Sequence, residues 1–294
     1  MASTSSLLLR IWETHYPILE TTISFRLWLK PLSTPMALIF HGGPTGSWNS
    51  PETGKLLGDE VLCLDTQLLI HQIIVKQIVS LMGNHELLAA EYLGKCLYTV
   101  AMGTNDYVIN YFLSQPTSFQ YTPQQYAEAL ILKYSQQLKT LYNSGARKIA
   151  LFGLGKLGSI PFERTRCGIK GSLCMDQINS AVQLFNARLK SLAQELNLIL
   201  PNATFTFIDY YGIEDSYIAS FNGSLVTDVG CCKFGSLTVN CIPFEIPCKD
   251  RIQHVFWDGI HPTEATNVAI AARAYKASLP TDAFPYDISH LTGV

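Results

Sequence analysis

From about Trp48 to the C-terminus, stretches whose apolar residues recur every three or four positions alternate with short, unbroken, β-rich apolar runs. This alternation is the signature of a parallel sheet covered by helices. The clearest helical stripe follows Asp176, where Ile178, Val182, Phe185, Leu189, Leu192 and Leu196 recur at spacings of four and three. Such a stripe packs on a sheet and is core rather than a binding groove. Another helix opens at Thr122-Pro123-Gln124-Gln125: Thr122 suits the N-cap, Pro123 the first helical position and Gln125 the return half of a capping box. Gly145 ends it. The apolar runs 96–102, 148–153 and 204–209 read as buried strands, the last followed by a helical pattern over 211–221. A final unit runs from His254-Val255-Phe256-Trp257 into Asp258 and an alanine-rich helix over about 263–277. Residues 1–50 differ: Trp12, Trp28, Trp48 and four prolines are scattered through them with no sustained period. The chain therefore divides into an atypical N-terminal segment, 1–50, and an α/β unit, 51–294.

Composition narrows what such a fold is for. With 294 residues and 48% hydrophobic content the chain holds a substantial core. Its 21 basic and 23 acidic residues leave a formal charge of −2, so there is no basic field for nucleic acid or an anionic membrane surface. A neutral or apolar small molecule fits better. No uninterrupted apolar run is long enough to cross a bilayer as a helix. Of eight cysteines, Cys63 and Cys96 stand alone, whereas Cys167, Cys174, Cys231, Cys232, Cys241 and Cys248 fall in two loop-like clusters. Neither cluster has the Cys-x-x-Cys or histidine spacing of a zinc site, so disulfides within each cluster, such as Cys167 with Cys174, are the better reading. Asn202-Ala203-Thr204 and Asn222-Gly223-Ser224 are glycosylation acceptor patterns. Both features suit a secreted protein, although Leu7-Leu8-Leu9 before Arg10 is too short for the apolar region of a signal peptide.

Two polar constellations sit where strands end, which is where open α/β sheets bind ligands. Gly103-Thr104-Asn105-Asp106 follows an apolar run; Gly103 permits close backbone approach, and the Asn105 amide can donate to a developing oxyanion. The competing reading is an ordinary strand-to-helix turn. Asp258-Gly259-Ile260-His261-Pro262 places a carboxylate three residues before an imidazole, where it can hold one ring nitrogen and leave the other as a general base. Here the competing reading makes Asp258 a cap for the helix that follows.

Together and in this order, Gly103 to Tyr107, Asn143-Ser144-Gly145-Ala146-Arg147-Lys148 and Phe256 to Thr263 closely resemble the plant-type GDSL esterase/lipase family of SGNH hydrolases. The likeness runs from about Gly54 to the C-terminus. It implies a flavodoxin-like three-layer αβα fold with a parallel sheet that hydrolyses esters of lipids or other acyl groups without a metal or organic cofactor. It also implies that Asn105, shaped by Gly103, donates to the oxyanion, and that Asp258 and His261 complete a triad.

The family's Gly-Asp-Ser-Leu block, whose serine is the nucleophile on the first strand, has no counterpart: Gly58-Asp59 is followed by Glu60 and Val61. Its second block, whose glycine N–H joins the oxyanion hole, has its nearest, poor counterpart at His41 to Ser47, making Gly46 an oxyanion candidate and Ser47 a candidate for a nucleophile that the sequence leaves unidentified. An exposed Gly-Ser turn is the blander reading of that pair. Phe40-His41-Gly42-Gly43 is also similar to the oxyanion loop of α/β-hydrolases, but the Gly-x-Ser-x-Gly elbow is absent. The first strand is expected to be missing or replaced by part of residues 1–50. The expected activity is ester hydrolysis, impaired if no serine is in place; the alternative is a truncated or inactive homologue that binds acyl ligands.

Overall fold

A computed structural model describes residues 37–41, 63–113, 115–168, 171–235 and 238–293. The strands are β1 (Ala37–His41), β2 (Leu97–Ala101), β3 (Lys148–Phe152), β4 (Thr204–Ile208) and β5 (Ala283–Phe284), laid side by side in that order. Neighbours among β1 to β4 are parallel, and β5 pairs antiparallel with the end of β4. In chain order the helices are α1 (Leu64–Leu81), α2 (Glu86–Lys95), α3 (Gln115–Gln120), α4 (Pro123–Asn143), α5 (Pro161–Cys167), α6 (Gly171–Ile199), α7 (Tyr210–Ser220), α8 (Glu264–Tyr275) and α9 (Ile288–Thr292).

The period of two along each strand sorts side chains into two cores. Ile149 and Leu151 of β3 join Tyr98, Val100, Phe205 and Phe207 against α1, α4 and α6. Ala150 and Phe152 face the other way, with Leu97 and Ile208, against Ile213 of α7, Ile270 and Ala274 of α8, and Ile288 and Leu291 of α9. Helices therefore cover both faces, which is the three-layer arrangement expected. The α6 stripe is buried from Ile178 to Leu196. The capping box is formed, with Thr122 Oγ1 accepting the Gln125 N–H at 3.3 Å and Gln125 Oε1 accepting the Thr122 N–H at 3.0 Å.

Residues 1–50 supply β1, which pairs with β2 from Ala37↔Leu97 to His41↔Ala101, so part of that segment takes the place of the first strand as expected. Two local expectations are corrected. Helix α6 begins at Gly171, ahead of Asp176, so Cys174 lies in a helix rather than a loop. Its first turns are exposed or half-buried, Leu173 among the exposed, and so carry no apolar stripe to read. Finally, 254–257 is not a strand of the sheet: its pairings are the isolated bridges Val226↔His254 and Phe256↔Pro262.

The larger core also encloses a polar side chain. His71 of α1 is fully buried edge-on against Tyr98, with ring centroids 5.7 Å apart, and burial holds its imidazole down to about 4. An imidazole that stays neutral in the fold but protonates in the unfolded chain costs stability as pH falls from about 6.5 towards 4. We expect the loss of unfolding free energy between about pH 7 and pH 4 to shrink by roughly 3 kcal/mol in His71→Gln. Urea titrations of both proteins at the two pH values check this; equal losses would refute it.

Candidate functional site

The Asp258 to His261 turn is built by its own backbone. Trp257 N–H donates to the His261 carbonyl at 2.7 Å beside the Phe256↔Pro262 bridge, pinching the intervening residues into a tight loop. Inside it, Asp258 Oδ1 accepts the backbone N–H groups of Ile260 at 2.9 Å and His261 at 2.7 Å, while Oδ2 lies 2.7 Å from His261 Nδ1. Short Asx-type bonds of this kind are what aspartate offers a turn. The Asp258 side chain is buried, and that of His261 is 38% exposed. A buried carboxylate on Nδ1 selects the tautomer whose basic nitrogen is Nε2. The capping alternative is settled against Asp258, because Thr263 caps α8.

Neighbouring segments fix the loop from outside. Cys231 and Cys232 donate their N–H groups to Phe256 and Trp257, and Gly259 donates to Val239. A Cβ at Gly230 would lie 2.6 Å from the Asp258 carbonyl oxygen, so only glycine lets the chain pass there. The Cys231–Cys248 and Cys232–Cys241 disulfides staple this flank, and Cys167–Cys174 ties α5 to α6. Disulfide, not zinc, is thus the state of all six clustered cysteines. Cys231, Cys248 and His254 lie close together, but the two sulfurs are bonded to each other and offer no thiolate to a metal.

The second constellation lies at the C-terminal end of β2. Gly103 has φ +118°, and a Cβ there would press on Leu154 and Phe185 at 3.3 Å. Half-buried Asn105 follows, and the chain then winds into a π-helical segment, Asp106–Leu113. Aromatic packing holds that segment: Tyr107 lies edge-on to Tyr126 and Phe185, and Tyr126 Oη donates to the Asp106 carbonyl at 3.0 Å. The segment is a strand-to-helix turn that places Asn105 at the C-terminal edge of the parallel strands.

One loop, which the sequence reading passed over, connects the two constellations. Leu154, just after β3, packs on Gly103 and is held at both backbone groups by the Asn186 amide, at 2.8 and 2.9 Å. Further along, Lys156 N–H donates to Glu214 Oε2 at 2.9 Å and Gly158 N–H to Asn179 Oδ1 at 2.9 Å. At the start of α5, Phe162 N–H donates to the Gly259 carbonyl at 2.9 Å. The signal was present in Gly153, Gly155 and Gly158, three glycines directly after a strand. Gly46 and Ser47 lie outside the described residues, so the geometry joins Asp258 with His261 and leaves the nucleophile unplaced.

Residues 28–274 match the family model described as GDSL-like lipase/acylhydrolase. That match begins upstream of Gly54 and takes in β1. Three proteins named GDSL esterase/lipase, all from Arabidopsis thaliana, are 46%, 44% and 42% identical over 247, 246 and 246 residues. Each alignment covers 82% of this chain and 67%, 67% and 68% of the respective relative.

Glu214, beneath the connecting loop, carries a measurable signature. Burial pushes its carboxyl up to about 7 against the pull of the Lys156 N–H. A carboxyl that ionises near 4.5 when unfolded and near 7 when folded costs stability as pH rises through that interval. Glu214→Gln keeps the acceptor oxygen and removes the charge. Its unfolding free energy relative to the parent's is expected to be roughly 3 kcal/mol higher (more stable) at about pH 8 than at about pH 4. A difference independent of pH in denaturant titrations would show that Glu214 is not held this way.

Proposed function

The chain belongs to the GDSL-like lipase/acylhydrolase family, and from that premise we propose that it cleaves the ester bonds of lipids or other acyl esters using Asp258 and His261. Carboxylester hydrolysis is the chemistry the family supports. The observation that carries the assignment of residues is the 2.7 Å contact between Asp258 Oδ2 and His261 Nδ1. His261 Nε2 takes the proton of an attacking serine hydroxyl, and Asp258 stabilises the imidazolium that results. As the carbonyl becomes tetrahedral, its oxygen gains negative charge and accepts from the Asn105 amide. The imidazolium returns its proton to the leaving alcohol, and water repeats the sequence to free the acid. The scheme calls on no metal or cofactor.

For the nucleophile we propose Ser47, with the Gly46 N–H as a second oxyanion donor. Support comes from β1, which runs parallel to β2 and delivers the chain at His41 to the same sheet edge from which β2 leads to Gly103. A second reading, an acyl-binding protein without turnover, is favoured by the absence of a Gly-Asp-Ser-Leu run from the sequence. We further propose a secretory location, supported by the three disulfides and by Asn202 and Asn222, both exposed in turns. Among the described residues, no helix is long and apolar enough to cross a membrane.

A fluorophosphonate probe is expected to label the folded protein covalently, and Ser47→Ala to abolish the labelling. His261→Ala should lower kcat on a short-chain ester by about a thousandfold or more while changing KM little. Labelling that persists in Ser47→Ala would move the nucleophile to another serine. Neither labelling nor hydrolysis by the parent protein would overturn the enzyme and leave the acyl-binding reading, which displacement of a fluorescent fatty acid then tests.

A further inference from the structure

The flank that secures the Asp258 to His261 turn also carries an apolar tip. Between Cys241 and Cys248 the chain reads Ile242-Pro243-Phe244-Glu245-Ile246-Pro247. Phe244 and Ile246 are 104% and 90% exposed, and Ile242 and nearby Ile252 are exposed as well. Isolated apolar residues on a surface are ordinary, but a contiguous group projecting from one loop marks a contact surface. The projection is enforced. Two prolines stiffen the tip, and two disulfides, Cys232–Cys241 and Cys231–Cys248, close its base. Phe244 sits at φ +68°, in the left-handed region that residues other than glycine rarely adopt.

Three features favour a lipid surface over a protein groove. The apolar side chains of the tip lie almost wholly in solvent, as those of an element that enters an acyl layer do. Between Cys231 and His254, three basic side chains, Lys233, Lys249 and Arg251, stand against two acidic ones, Glu245, ion-paired with Lys233 at 3.7 Å, and Asp250, although the whole chain is net negative. An apolar tip on a segment with net positive charge complements anionic headgroups. The same flank is also continuous with the candidate site: Cys231 and Cys232 donate to Phe256 and Trp257, and the Arg251 guanidinium lies 5.2 Å over the Trp257 ring. Whatever the tip enters is thereby held at a fixed offset from His261.

We propose that the disulfide-stapled loop around Phe244 and Ile246 is an interfacial anchor that seats the Asp258 to His261 turn on a lipid aggregate bearing anionic headgroups. The choice of lipid as partner rests on the ester-hydrolase reading. The anchor itself is tested without turnover.

The full-length protein is to be sedimented with phosphatidylcholine vesicles containing a minority of phosphatidylserine, alongside the double variant Phe244→Ser/Ile246→Ser. Both side chains are exposed, so the variant's melting temperature should match the parent's. Its vesicle affinity should fall by at least about tenfold, since two side chains no longer leave water for the acyl layer. A single Lys249→Glu variant should bind these vesicles more weakly but pure phosphatidylcholine vesicles as well as the parent does. Equal sedimentation of parent and double variant, or no sedimentation of the parent, would overturn the anchor. So would a parent dimer in size-exclusion chromatography that the double variant dissociates, since the tip would then meet a second copy of the chain. Sedimentation as expected, with no ester hydrolysis, would remove the catalytic reading and leave the anchor standing.

Discussion

The buried carboxylate of Asp258 receives two backbone N–H groups on one oxygen and the His261 ring on the other. A carboxylate withdrawn from water is tolerable only where donors replace its hydration, and here all three come from the four residues it belongs to. One side chain therefore shapes the turn, orients the imidazole and selects its tautomer. If Asp258 moved, the ring would lose its orientation and the loop its internal bonds together.

What the turn cannot supply is its own position in the molecule. That comes from three directions: the cysteine-rich flank bonded to Phe256 and Trp257, the Val239 carbonyl that accepts from Gly259, and the N-terminus of α5, where Phe162 donates to Gly259. The last of these continues, through the glycine-rich loop after β3, to Leu154 and so to Gly103. Two regions about 150 residues apart in sequence are thus braced against one connecting loop, whose backbone is held in turn by Asn186, Asn179 and Glu214. This is the kind of rigid support that keeps reacting groups in register.

The connecting loop relies on polar groups with few alternatives. Glu214 is fully buried, and the backbone N–H of Lys156 is the donor it faces. Glu163, in the first turn of α5, is also buried; burial raises its carboxyl while Arg166 draws it back. Carboxylates in such places carry a desolvation cost, which the Lys156 N–H offsets in part for Glu214 and the Arg166 guanidinium for Glu163. Neither is distinguishable from an ordinary surface glutamate in the sequence, because burial is not a local property.

Interactions spanning a few residues were legible in the sequence alone. The Thr122 capping box and the α6 stripe follow from spacing along the chain alone, and the Asp258 to His261 relation from spacing together with the family resemblance. Tertiary structure decided whatever depended on distant partners. It placed β1 beside β2, drew 254–257 out of the sheet because its backbone partners are Val226, Cys231 and Cys232, and paired the cysteines. It also turned Phe244 and Ile246, which hydropathy alone would send to the core, outward beside the candidate site. Periodicity records which face of an element is apolar; what that face meets is settled only when segments far apart in the chain compete for the same contacts.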